Sequence, residues 1–458
     1  MEITRRAMLA TAMSAAGTAW FAPVDARTTS PRFPDSRALA DMIRPSIAAL
    51  GSAAKVERLG HSAAGRPIDL ISIGAGERSV LIVGAPHPNE PIGCLAVVAL
   101  IRRLARDRHF LERSGWRWHF IPAIDVDGLD LNSGWFDRTQ TLTNHFRHFF
   151  RPAFARQPEY SFPLSLPGYR FDASTPENLC WQRALEIARP TLQSSLHGND
   201  AGGAFYLLSH DLAGLAQRLS RQPVGQGIVL NTLGEPDAEL RSFAPGVFSY
   251  FEVEPYVRRA ITDGAAVERL WNAGRSSAEF AAETCGTFSM TCEVPLWQDR
   301  RQHSAAPSPY TMADVRRMQL VQIDENARLL DRAAPLLARA PDDDEGRALT
   351  LALREAATLS AQQRDTLTAQ LRAGGDPRRI SLRDLVQLEP GTALMRAPAM
   401  LARLATLAGD RTIASDAQAL LARRIAAQDA KAPLQPVPTE RAVALQIQSI
   451  ATSMAELG

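Results

Sequence analysis

The run Val80-Leu81-Ile82-Val83-Gly84 most limits how this chain can fold. A short, uninterrupted apolar stretch ending in Gly reads as a parallel strand buried on both faces. It leads through His87-Pro88-Asn89-Glu90 into Glu90–Arg106, where Leu95, Val98, Ile101 and Ala105 stand near helical spacing. Trp118-His119-Phe120-Ile121-Pro122 then reads as a second strand. Strand, helix and strand in succession predict an α/β architecture. The pattern continues with helices over Ala38–Leu50, Asn178–Ala188 and Ala266–Glu283, and strands over Leu192–Leu196 and Phe288–Val294. From about Met312 the texture becomes rich in Ala, Leu, Arg and Gln, with helical periodicity over Met318–Ala338 and Arg347–Leu371. Gly374-Gly375-Asp376-Pro377 and Ala432–Pro438 interrupt it. An α/β domain over residues 35–305 and a helical C-terminal region over 312–458 are therefore expected.

A chain of 458 residues with 45% hydrophobic and 22% charged residues is ordinary for a globular protein. Its net charge of +2 points neither to nucleic acid nor to an anionic membrane surface. Lysine occurs only at Lys55 and Lys431, so arginine carries nearly all the positive charge. At the N-terminus, Thr4-Arg5-Arg6-Ala7-Met8-Leu9 precedes a mildly apolar stretch, Ala10 to Ala22, and Val24-Asp25-Ala26 offers a small residue for cleavage. That order reads as a twin-arginine export signal over residues 1–26, with a periplasmic or secreted mature protein. Met8 and Ala10 depart from the usual pattern, and a cytoplasmic protein with a basic, Ala-rich tail is the alternative. No later segment is apolar enough to span a membrane. The four cysteines, Cys94, Cys180, Cys285 and Cys292, form no CxxC pair, which argues against a cysteine zinc site.

His87 and Glu90 stand three apart on a turn that follows a strand and opens into a helix. An imidazole and a carboxylate so placed suit zinc. A second copy of the spacing, His109-Phe110-Leu111-Glu112, lies in a charged helical stretch. Context separates the two, because ligands in open α/β sheets bind at the C-terminal ends of strands. The plainer reading of His87 is a turn residue capping the next helix. A catalytic zinc needs a third protein ligand and an open position for water. His197, ending the Leu192–Leu196 strand and followed by Gly198, is the best candidate, although a satisfied buried histidine is the commoner fate of such a residue. In Phe288–Glu293, alternation puts Ser289, Thr291 and Glu293 on one face. Glu293 there can take a proton from metal-bound water. Its alternative is a surface carboxylate beside Pro295.

Taken in order, HxxE after a strand, Asp127-Gly128, Arg138 with Arg147, Leu196-His197 and Thr291-Cys292-Glu293 resemble the zinc metallocarboxypeptidases of the carboxypeptidase A type. The segments Arg151-Pro152-Ala153 and Glu159-Tyr160-Ser161-Phe162-Pro163 look like those of bacterial members. The resemblance spans roughly residues 35–305. It implies a mixed, largely parallel central sheet flanked by helices and a single Zn2+. It also implies that Arg138 stabilises the oxyanion, that Arg147 grips a terminal carboxylate, and that Tyr250 or Tyr256 touches substrate. Two positions depart from the family pattern: Phe146, not Asn, precedes Arg147, and no Tyr lies between residue 257 and Glu293.

The expected activity is zinc-dependent amide hydrolysis, carboxypeptidase-like, on peptides or cell-wall stem peptides, with no nucleic-acid partner. Two rivals stand beside it. One is a zinc deacylase of the desuccinylase or aspartoacylase type, which shares HxxE and a later His. The other is a catalytically silent relative that binds wall peptides.

Overall fold

The structure, a computed structural model, describes residues 33–458 except 236–239, 265–266, 340, 342, 375–376 and 389–390. The export-signal reading of residues 1–26 and the Gly375-Asp376 part of the break near residue 375 lie outside the described residues.

In chain order the chain forms α1 (Ser36–Leu50), β1 (Ala54–His61), β2 (Pro67–Ile73), β3 (Arg78–Val83), α2 (Ile92–Arg106) and β4 (Trp116–Ile121). Then come α3 (Pro176–Ala188), β5 (Leu192–Ser195), β6 (Gly198–Ala201), β7 (Phe205–Leu208), β8 (Ser242–Ala244) and β9 (Val247–Ser249). α4 (Ser277–Cys285) leads into β10 (Phe288–Gln298). The C-terminal region adds α5 (Met312–Arg332), α6 (Asp344–Arg372), α7 (Arg396–Leu407), α8 (Arg411–Lys431), β11 (Gln435–Pro436) and α9 (Thr439–Leu457), with shorter helical turns between.

One 11-stranded sheet runs β1-β2-β4-β3-β5-β10-β7-β9-β8, and β6 and β11 also pair with β10. Its four central strands, β4, β3, β5 and β10, are parallel. Antiparallel pairs flank them on both sides. The sheet is thus mixed and parallel at its centre, as expected. In β3 every residue from Ser79 to Val83 is buried, which is why this stretch carries no polar alternation.

β10 makes the site possible. Its first half pairs with β5, Phe288–Thr291 opposite Leu192–Ser195. Its second half pairs with β6, Val294 opposite Gly198 and Trp297 opposite Ala201. Between those ladders Leu196 and His197 face Cys292 and Glu293 without strand pairing, so carbonyls there need other donors. Gln446 of α9 supplies them: its side-chain amide donates to His197 O at 2.8 Å and to Cys292 O at 3.4 Å.

The helical C-terminal region shares one contiguous apolar core with the sheet, extending from Phe33 to Met454. Several expected elements differ: the helix over Met318–Ala338 is two, Met312–Arg332 and Ala334–Ala338, and the strand over Phe288–Val294 runs on to Gln298. The helix expected over Ala266–Glu283 is two, Val267–Leu270 and Ser277–Cys285. Tertiary bonds from Gly274 N to Tyr160 O and from Arg275 N to Phe162 O hold the interruption, and Ser276 with Glu279 forms a capping box that restarts the helix. The helix expected from Glu90 starts at Ile92, which leaves Glu90 on the preceding turn.

Candidate metal centre

After β3 the chain leaves the sheet through Ala85, which adopts a left-handed φ of 45°. An L-residue adopts this conformation at a cost of about 1–2 kcal/mol. The next turn closes with Glu90 N donating to His87 O at 3.1 Å. Gly93, in the first turn of α2, lets this turn approach the His197 strand. A Cβ there would lie 2.7 Å from Leu196 Cβ and 2.8 Å from Leu196 O.

His87, Glu90 and His197 converge, with one candidate ligand atom from each lying within 4.8 Å of the others. All three are buried. His87 Nδ1 is a buried nitrogen with no hydrogen-bond partner, an arrangement costly for a protein atom but fit for a metal ligand. His197 Nδ1 faces Glu90 Oε2 at 3.3 Å and Glu293 Oε1 at 3.7 Å. Glu293 Oε2 is likewise buried and unpartnered. Two imidazoles and a carboxylate form a donor set suited to zinc, and the orphaned nitrogen shows that the residues present fit such an ion.

The second ring nitrogen of His197 is fixed from behind. Nε2 lies 2.7 Å from Glu159 Oε2 and 2.9 Å from Ser195 Oγ. Ser195 Oγ donates to Glu159 Oε2 at 2.9 Å, and Ser277 Oγ, at the start of α4, donates to Oε1 at 2.6 Å. A carboxylate behind a ligating imidazole fixes its tautomer and raises its basicity.

Electrostatics mark the centre as built for a cation. Burial, then the charge of Glu90, pushes the Glu293 carboxyl up to about 8. Burial, then the positive charges of Arg151, His197 and Arg396, holds His87 well below its ordinary value. Burial alone would lower His197, but the Glu159 carboxylate and the bonds from Glu159 and Glu90 raise it well above.

Other expected site residues fall elsewhere. Arg138 is exposed, and its Nε donates to Gly134 O at 2.8 Å. Arg147 is exposed on the short helix Leu142–Arg147. Both charges act on His148. No bond of either side chain to His87, Glu90, His197 or Glu293 supports the oxyanion and carboxylate roles expected of them. An arginine-rich stretch folded as a surface turn and helix turns these two side chains outward. Arg151 is the guanidinium beside the cluster, its Nη1 donating to Glu90 Oε1 at 2.8 Å. Tyr250 lies near the centre, its hydroxyl 2.8 Å from Thr291 Oγ1. Tyr256 packs against Phe251 and Trp271, and Trp271 in turn packs against Tyr160. The tyrosine stacked on a ligand is Tyr160, its ring 6.2 Å from that of His87 at 18°.

Glu159, Tyr160 and Arg151 all lie in the two segments singled out for their family likeness, which was the one signal available for them. Arg396, whose charge reaches the cluster from α7, had no sequence signal at all.

The family model described as zinc carboxypeptidase matches residues 43–152. No curated protein matches the chain. Among solved structures, a metallo-carboxypeptidase from Burkholderia cenocepacia is 18% identical over 57% of this chain and 60% of its own, with a TM-score of 0.35. A metallo-carboxypeptidase from Pseudomonas aeruginosa, in complex with (2-guanidinoethylmercapto)succinic acid, gives the same values. Carboxypeptidase A from Helicoverpa armigera is 14% identical over 81% of both chains, with a TM-score of 0.38. The chain thus spans about 60% of the length of the first of these structures. At such low TM-scores these likenesses carry nothing about reaction or substrate. The family match covers β3, the turn after it, and both His87 and Glu90 on that turn.

Proposed function

We propose that this protein is a zinc metallopeptidase that hydrolyses amide bonds, carboxypeptidase-like, in peptides or cell-wall stem peptides, after export. The observation that carries the reading is the convergence of His87, Glu90 and His197 with the unpartnered carboxylate oxygen of Glu293 beside them. The three ligands would hold one Zn2+, which when bound lowers the pKa of a coordinated water and polarises a carbonyl.

The chain's own residues do the rest. Glu293 accepts the water's proton and returns it to the leaving amine. Its unpartnered oxygen leaves a carboxylate free to move a proton. Glu159 holds His197 in one tautomer through Nε2, so that Nδ1 presents a lone pair. Arg151 supplies a fixed cation where negative charge develops. Tyr160, stacked on His87, walls one side and limits water. Among the described residues no helix is long and apolar enough to cross a membrane.

Metal analysis of the purified protein, with mass spectrometry of products from short peptides and from acylated amino acids, tests the reading. Turnover confined to acylated amino acids would establish the deacylase instead. Glu293→Gln is expected to retain zinc and lose turnover; peptide hydrolysis at the wild-type rate would remove Glu293 from its role.

A further inference from the structure

The gap between the two ladders of β10 keeps its register. Thr291 stands opposite Ser195 and Val294 opposite Gly198, so both strands advance three residues across it. On its other side β10 stays paired through the gap, with Cys292 opposite Tyr206 and Glu293 opposite Phe205 of β7. The gap is therefore a local parting of β10 from β5 and β6, and it falls where His197 and Glu293 leave the sheet. At one rim Thr291 Oγ1 donates to Ser195 O at 3.2 Å, and at the other Gly198 N donates to Glu90 Oε2 at 3.0 Å. In the middle, a single side-chain amide, that of Gln446, joins the two strands through His197 O and Cys292 O.

Packing alone does not call for Gln446. It is fully buried, and its Oε1 has no hydrogen-bond partner. A buried amide oxygen left unpaired is unfavourable, and an unbranched apolar side chain of the same length, such as Met, would avoid it. What the amide has and Met lacks is a pair of donors for the peptide units of a metal ligand and of the residue before the base. α9 is anchored so as to hold them there. Its approach lies along the end of β10, where Val437 N donates to Leu296 O at 2.9 Å and Gln435 stands opposite Gln298. Beyond Gln446, Gln222 Nε2 donates to Thr452 Oγ1 at 2.7 Å, and Arg78 Nη1 donates to Leu457 O at 3.3 Å. Arg78 opens β3, the strand that leads to His87. The last helix thus ties the strand before His87, the His197 peptide and β10 together, from outside the matched segment.

We propose that Gln446 is a positioning residue of the metal centre: by bridging His197 O and Cys292 O it sets the spacing between the ligand His197 and the base Glu293. The C-terminal helix is then a working part of the centre. This rests on the zinc-hydrolase reading for what the spacing serves. Without the amide, the two carbonyls in the gap lose their donor, and the strands part to give them water. His197 Nδ1 and Glu293 Oε1, 3.7 Å apart, separate with them. A misplacement of about 1 Å at a reacting centre lowers turnover by about 100-fold.

The test uses the full-length protein, loaded with Co2+, whose visible absorption reports the geometry of its ligands, and with Zn2+ for turnover of short peptides. Gln446→Met is expected to shift the cobalt absorption and to weaken zinc binding by about 10-fold or more. It is expected to lower kcat by about 10- to 100-fold while KM stays within about 3-fold. Gln319→Met is the control. It removes another side-chain amide bonded to a backbone carbonyl of the C-terminal region, Leu388 O at 2.8 Å, and is expected to leave the cobalt spectrum and kcat unchanged.

A wild-type cobalt spectrum and kcat in Gln446→Met overturn the proposal whatever stability is lost, because a purely structural bond would act that way. The same spectral shift in Gln319→Met also overturns it. Should Gln446→Met fail to fold, the unsubstituted protein decides, because coupling is reciprocal: a metal that depends on the Gln446 bridge steadies it. Zinc is expected to slow amide exchange across α9, and no slowing there beside slowing in residues 84–91 overturns the proposal. The cobalt shift without peptide hydrolysis by the unsubstituted protein supports this assignment and refutes the hydrolase reading. Peptide hydrolysis that Gln446→Met leaves unchanged does the reverse.

Discussion

Replacing Glu159 by Gln should loosen the metal while leaving the fold nearly intact. In the wild type, Glu159 Oε2 receives His197 Nε2 at 2.7 Å and Ser195 Oγ at 2.9 Å, and Oε1 receives Ser277 Oγ at 2.6 Å. Burial alone would raise this carboxyl, but the charge of His197 and these bonds hold it below its ordinary value, so it acts as an anion. Gln keeps one oxygen for His197 and turns its amide toward Ser277, whose hydroxyl can rotate to accept. The substitution therefore removes charge but not the hydrogen-bond count. A bond to a charged group contributes about 1.5–3 kcal/mol against about 1 for a neutral one. The difference, on the order of 1–2 kcal/mol, corresponds to a loss of about 5- to 30-fold in zinc affinity, overlapping the lower part of the roughly 10- to 100-fold range for partners behind a ligand. Glu159→Ala goes further, leaving His197 Nε2 buried without its carboxylate, at about 1–3 kcal/mol in folding stability. Competition against a chromophoric chelator measures the affinity, and urea unfolding of the metal-free protein measures the fold. Wild-type zinc affinity in both variants would refute the reasoning. So would a loss in Glu159→Gln explained wholly by instability of the metal-free protein.

Three further outcomes are expected. Gly93→Ala should lower both stability and zinc affinity, since its Cβ would meet Leu196 Cβ and O at 2.7 and 2.8 Å; overpacking of this kind costs about 1–3 kcal/mol, and calorimetric unfolding with zinc titration checks it. Burial, opposed by the bond from Gly128 N and assisted by Glu177 and Asp127, pushes the Asp125 carboxyl up to about 8. Its unfolded value is about 3.9, so between the two the folded state holds the extra proton, and stability falls as pH rises from about 4 to 8, by at most about 1.4 kcal/mol per unit. Asp125→Asn keeps the acceptor for Gly128 N and should flatten that slope in urea unfolding run across the range. Finally, Arg138→Ala and Arg147→Ala should leave kcat/KM within a few-fold of wild type, because both side chains are exposed and neither bonds to the ligand cluster; Arg151→Ala, which removes the bond to Glu90, should not.

The residues that converge at the cluster were legible in the chain because each follows the end of a strand, and strand ends are written locally. An apolar run stopped by Gly announces β3, and whatever follows it projects from the sheet's C-terminal edge. His197 was marked the same way, by the short strand entering His197-Gly198, whereas Glu293 was marked by alternation and lies in the middle of β10. The sequence could not show why those two face each other. That depends on β10 changing partner from β5 to β6, and on Gln446 bonding the two carbonyls left between the ladders.

The charged groups around the ligands were a different matter. In an arginine-rich chain, spacing cannot say which guanidinium turns inward: Arg138 and Arg147 were the expected residues, and Arg151 is the one bonded to Glu90. Glu159 lay in a segment noted for its likeness but looked like any loop carboxylate, because its role comes from His197, Ser195 and Ser277 meeting it from three elements. Hydrophobic periodicity is a property of neighbouring residues and survives in the sequence, so it determined the strands, the helices and the edge that carries the ligands. Ion pairing depends on where distant segments meet, so only the folding of the 151–159 loop against the sheet edge decided that Arg151 and Glu159 flank the ligand cluster.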